Sequence, residues 1–104
     1  MKIDNKIKIC GIIYDIKLIS GKADNDLQEK SYIGRIDYER CTITLEREVN
    51  EQVLIQTLLH EITHGIAHNY KIEIPENDVD RIAAGFYQVL KDNKFLKELI
   101  WASN

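Results

Sequence analysis

The sequence predicts an α+β domain, a small antiparallel sheet with helices on one face, folded as a single unit over residues 1–104. Two observations predict it. Apolar residues recur at every second position through the first half of the chain and at helical spacing through the second. Strands that come first and helices that follow favour segregated layers over an alternating parallel fold. At 104 residues the chain supplies one modest core.

The elements follow in order. Between Lys6 and Ile19, Ile7 and Ile9 alternate in one phase, and Ile12, Tyr14, Ile16 and Leu18 in the other. Gly11 sits at the change, which predicts one strand with a bulge or bend there. Ser20 to Lys30 is polar and turn-rich, a loop. Tyr32 to Tyr38 and Cys41 to Leu45 read as a hairpin, with Cys41, Ile43 and Leu45 on one face and Thr42, Thr44 and Glu46 on the other. From about Glu51 to His68 the period becomes helical through Val53, Leu54, Leu58, Ile62 and Ile66, with Asn50 as N-cap. Lys71 to Pro75 connects to a second helix, roughly Asn77 to Lys91, whose Val79, Ile82, Ala83, Phe86, Val89 and Leu90 form an apolar stripe. Asp92-Asn93 breaks it, and Phe95, Leu96, Leu99 and Ile100 suggest a short final helix.

Composition excludes several classes. A net charge of −3 without a Lys/Arg run leaves no footprint for nucleic acid. No apolar run approaches the ~20 residues of a membrane span, and nothing at the start resembles a signal peptide. Cys10 and Cys41 form neither a cysteine metal motif nor a disulfide framework. The expectation is a soluble, cytoplasmic protein of a reducing compartment, with no nucleic-acid or membrane partner.

All three histidines fall within nine residues, His60-Glu61-Ile62-Thr63-His64-Gly65-Ile66-Ala67-His68. His60, Glu61 and His64 make an H-E-x-x-H pattern. On a helix, positions four apart project from nearly the same side, so two imidazoles can chelate one zinc ion. Glu61 then sits beside the open position, where it handles protons on a bound water. The plain alternative is a pair of histidines on a solvated helix face. Leu58, Leu59, Ile62 and Ile66 bracket the motif, however, and burying three such polar groups without a metal leaves partners to be found.

Catalytic zinc takes three protein ligands and a water. His68 lies eight positions after His60, ~12 Å along a straight helix, too far to share the ion. Ala67 and Tyr70 stand where the metzincin extension needs Gly and His. A carboxylate from the second helix remains, from Glu73, Glu76, Asp78 or Asp80. With the apolar face centred near Val79, Ile82 and Phe86, Asp78 lies about 80° from the centre and Asp80 about 120°. Asp78 is the expected third ligand, with Asp80 and Glu76 as alternatives. Its bland reading is an acidic residue favoured by the helix dipole.

Leu58-Leu59-His60-Glu61-Ile62-Thr63-His64-Gly65-Ile66, followed by Glu76-Asn77-Asp78-Val79-Asp80-Arg81-Ile82-Ala83-Ala84, resembles the ImmA/IrrE-type metallopeptidases, more narrowly their short phage- and prophage-encoded relatives. The likeness spans roughly Cys41 to Leu90. In that family a carboxylate, typically Glu, opens the second helix in an E-A-x-x-F-A-like run, and Asp78 to Ala83 matches that run with Asp at the ligand position. The resemblance implies a minimal zincin fold, a peptide laid along the sheet's edge strand and a protein substrate such as a repressor.

The expected chemistry is peptide hydrolysis by a zinc-bound water with Glu61 as the proton carrier. His68, Tyr70 and Tyr87 are candidates to stabilise the oxyanion, and Cys41 to Leu45, if an edge, could bind an extended peptide through its backbone. The rival class is a non-catalytic, metal-stabilised interaction protein of phage or mobile-element origin. Glu61 argues against it, because a purely structural zinc has no use for that carboxylate.

Overall fold

In the computed structural model, residues 3–20 and 33–103 are described. They form β1 (Lys6–Ile9), β2 (Ile12–Ile19), β3 (Gly34–Asp37), β4 (Thr42–Glu46), α1 (Glu51–Tyr70), α2 (Glu76–Asp92) and α3 (Phe95–Ala102). Most of the loop expected from Ser20 to Lys30, and Tyr32 at the start of the expected hairpin, lie outside the described residues.

The change of phase at Gly11 is a chain reversal rather than a bend. Cys10 and Gly11 both have positive φ, 51° and 82°, as the two-residue turns that suit hairpin twist require. Glycine adopts this backbone freely, and Cys10 bears the cost. β1 and β2 are therefore antiparallel partners, with Ile7 opposite Tyr14.

β3 and β4 form the expected hairpin, Ile36 opposite Ile43. β2 and β4, however, run parallel, with Ile16 beside Ile43 and Leu18 beside Leu45. The sheet is mixed, in the order β1-β2-β4-β3, and not antiparallel. Side-chain alternation reports which face a residue occupies and is silent on strand direction. β4 is consequently an interior strand, so the condition on which Cys41 to Leu45 could bind a peptide through its backbone is not met. Ile43, Leu45 and Thr44 are all buried, so both its faces are covered. Among the described residues the edges are β1 and β3.

α1 lies against the sheet, where Leu54, Leu58 and Ile62 join a core of Ile9, Tyr14, Ile16, Ile43 and Leu45. Asn50 caps it as expected, its side chain accepting from the Val53 N–H at 2.9 Å, worth about 1 kcal/mol. Two glycines let helix and sheet approach. A Cβ on Gly34 would stand 2.5 Å from the Thr57 methyl and 3.3 Å from Glu61 Oε2, and one on Gly65 would stand 3.3 Å from Ile9. Edge strand β3 thus passes directly over the Glu61 turn of α1.

The end of α1 is sharp. Lys71 takes a left-handed backbone, φ 56°, and the Ile72 N–H donates to the Ala67 carbonyl at 2.8 Å, closing the last turn. Residues 71–75 then return beside Ala67 and His68. With residues 72–75 extended, the chain from Lys71 to Glu76 reaches ~17 Å, close to the ~15 Å that helical rise puts between His60 and Tyr70. Glu76 therefore opens α2 level with His60. α2 packs along α1 through Val79 and Ala83, its two buried residues, while α3 buries none of its residues.

Candidate metal centre

His60 and His64 project from one side of α1, as four-residue spacing on a helix requires. Their Nε2 atoms are 3.1 Å apart. Glu76, on the first turn of α2, closes the group, with Oε1 2.7 Å from His60 Nε2 and Oε2 3.1 Å from His64 Nε2. These three residues present one ligand atom each within 4.8 Å of one another, a group that could hold a metal ion. Tetrahedral donors ~2.0–2.1 Å from a metal stand ~3.3 Å from each other, so the side chains fit an ion after opening by a few tenths of an ångström. The histidines are partly covered, 14% and 25% exposed, and the Glu76 side chain is 65% exposed. The group is walled by protein on the α1 side and open on the α2 side.

Asp78 is not in this group. Its half-exposed carboxylate lies 3.9 Å from the exposed Arg81, and it belongs with Glu76 to the acidic first turn of α2, where the helix dipole favours negative charge. The reason is a misplaced helix face. Val79 is buried, but Ile82 and Phe86 are 38% and 58% exposed, so the apolar stripe of α2 is not centred on α1. The face that meets α1 carries Glu76, Val79, Asp80 and Ala83. Asp78, two residues beyond Glu76, is turned ~200° away from it.

Asp80, one turn after Glu76, is brought to the site, though against the other nitrogen of the same ring. His60 Nδ1–H donates to Asp80 Oδ1 at 2.6 Å. With a metal in the three-residue group, that bond would keep the proton on Nδ1 and leave the Nε2 lone pair for the ion. The spacing Glu76-x-x-x-Asp80 and the length of the connector were the signals that could have found this pair.

Glu61 is 5% exposed. Burial pushes its carboxyl up from 4.5 to about 7, opposed by His60 and reinforced by the negative charges of Glu76 and Asp80. It faces a cleft of about 860 Å³ whose walls include Gly34, Arg35 and Tyr38 on one side and Asp80 and Ala84 on the other. Tyr38 was not foreseen. It follows β3, donates from its hydroxyl to the His64 carbonyl at 3.3 Å and stacks on the His68 ring at 3.7 Å. Burial, with Glu61 and Glu76 nearby, raises its phenol above the ordinary value, so it stays an O–H donor.

His68 reaches only the neighbouring cavity along the connector. Tyr70 is 65% exposed, and the Tyr87 hydroxyl accepts from Lys91; neither lines the cleft. Among the described residues, no helix is long and apolar enough to cross a membrane. No family model, curated protein or solved structure matches the chain.

Proposed function

We propose that the protein is a zinc-dependent metallopeptidase with His60, His64 and Glu76 as metal ligands and Glu61 as the proton carrier. The observation that carries the reading is the placement of a buried carboxylate, Glu61, one residue from His60 on the same helix as both imidazoles and beneath an edge strand. Two imidazoles and a carboxylate with room for a water are a catalytic zinc set, whereas structural sites are closed by four protein ligands. The ion would act as a Lewis acid toward a water and a peptide carbonyl. Glu61 accepts the water's proton as the C–O bond forms and passes it to the departing amine nitrogen. Asp80 holds the His60 ring in place, and the Tyr38 hydroxyl, which lines the cleft, would donate to the developing oxyanion in place of the His64 carbonyl.

The substrate in this reading is an extended peptide. Among the described residues β3 pairs with β4 on one side only, and an edge strand beside the cleft can bind a chain through its backbone. β3 takes over the role that Cys41 to Leu45 cannot fill as an interior strand. A protein target such as a repressor, implied by the resemblance to ImmA/IrrE-type enzymes, fits this backbone-led recognition. The test uses a peptide library and then Glu61→Gln. The variant should retain zinc, while cleavage falls by at least ~10², the low end for losing a general base. Undiminished cleavage in the variant refutes the assignment of Glu61. A wild type that binds zinc but cleaves nothing would leave a module that recognises a partner without cutting it.

A further inference from the structure

We infer that His68 is a positioning residue, whose imidazole holds the Tyr38 ring so that the phenol hydroxyl stays at the metal centre. This role rests on the peptidase reading, in which Tyr38 is the oxyanion donor, and it gives the third histidine a task outside the metal group. His68 continues the row of His60 and His64 along α1, four residues on and about 40° round the helix from His64. The first two histidines meet Glu76. The third lies flat on Tyr38, with ring centroids 3.7 Å apart and planes 5° from parallel. Tyr38, which lines the cleft with His64 and Glu61, thereby touches α1 twice, by its ring at His68 and by its hydroxyl at the His64 carbonyl.

The two contacts are unequal. The hydroxyl bond is long, 3.3 Å, against about 2.7–2.8 Å for an ordinary O–H···O bond. Its acceptor is a carbonyl inside α1, which helical pairing already supplies with the His68 N–H. A carbonyl with two donors keeps a partner when one of them leaves, and a phenol O–H can turn about its C–O bond while the ring stays still. The hydroxyl can therefore leave the His64 carbonyl for a developing oxyanion without stranding a buried group. The ring needs a separate hold, because Tyr38 stands just beyond β3, where the pairing with β4 has ended at Asp37. His68 supplies that hold from a stiff support. The Lys71 N–H donates to the His68 carbonyl and the Ile72 N–H to that of Ala67, which closes the end of α1 around the residue that bears the ring.

A stack can bias the hydroxyl by no more than its own strength, so its loss is worth roughly 10-fold in rate, the upper range for an aromatic pair. His68 is exposed, and its truncation to Ala leaves no cavity and should leave circular dichroism unchanged. With a peptide that the wild type cleaves, Tyr38→Phe should lower kcat by about 10² or more, the cost of an oxyanion donor. His68→Ala should lower it roughly 10-fold. KM and zinc affinity should stay within about twofold in both, because the hydroxyl acts on the transition state alone. His68→Phe retains a flat ring and should recover most of the lost kcat, and His68→Ala made in the Tyr38→Phe background should cost nothing further. In the zinc-free protein, nuclear Overhauser contacts should join the two rings in wild type and in His68→Phe. A His68→Ala variant that keeps kcat while Tyr38→Phe loses it overturns the inference and leaves the peptidase reading standing. So does an equal loss from His68→Ala with Tyr38 already replaced, or a wild type without the ring-to-ring contacts. Wild type that cleaves nothing, or cleavage indifferent to Tyr38→Phe, removes the donor itself and the role of His68 with it.

Discussion

α1 and α2 both build the site, but they declare their buried faces differently. α1 hides a polar residue inside its packed surface, since Glu61 is buried beside Leu54, Thr57 and Gly65. α2 does the opposite. Its conspicuous apolar stripe is exposed at Ile82, Phe86, Val89 and Leu90, and only Val79 and Ala83 are buried. Small residues let α2 lie close to α1, and that contact carries Glu76 and Asp80 to His60. The stripe with the largest side chains marks where a helix wants cover.

The comparison can be broken most forcefully at Glu61. Its carboxyl titrates near 4.5 when unfolded and about 7 in the folded, metal-free protein. Between these values the folded state holds a proton that the unfolded chain has released, so stability falls as pH rises from about 4.5 to 7 and is greatest below that window. The loss is at most ~3 kcal/mol. Chemical denaturation of chelator-treated protein should show this fall, and Glu61→Gln should lack that part of it. Identical pH profiles for the two proteins would mean that α1 does not bury Glu61 as a carboxylic acid.

A smaller effect sharpens the role of α2. Asp80→Asn keeps the size of the side chain but weakens its hold on His60 Nδ1. Zinc affinity should fall about 10- to 100-fold, the usual consequence of losing such a supporting carboxylate. Affinity equal to wild type would leave Asp80 as a surface residue near the site.

The contrast also explains what could be read from the sequence. The hairpin of β3 and β4, all three helices, the Asn50 cap and the pairing of His60 with His64 followed from local spacing, and local spacing is what a sequence displays. The parallel pairing of β2 with β4 did not, because alternation carries no direction. Gly11 signalled an interruption, but the pattern alone could not separate a bend from a reversal, and the positive φ of Cys10 had no sequence signature. Asp78, the expected third ligand, lies outside the group of His60, His64 and Glu76 because the wheel was oriented by side-chain size. Which face of α2 meets α1 depends on the reach of residues 71–75 and on the small volume of Ala83, neither of which a hydrophobic stripe records.

The claim that joins these points is that α2 turns Glu76, and not Asp78, to the histidines of α1. Zinc titration against a competing chelator, on wild type, Glu76→Gln and Asp78→Asn, tests it directly. Wild type should bind about one zinc per chain, Glu76→Gln should bind at least ~100-fold more weakly, and Asp78→Asn should stay within about threefold of wild type. Retention of zinc by Glu76→Gln with its loss in Asp78→Asn would contradict the account, as would a wild type that binds no metal at all.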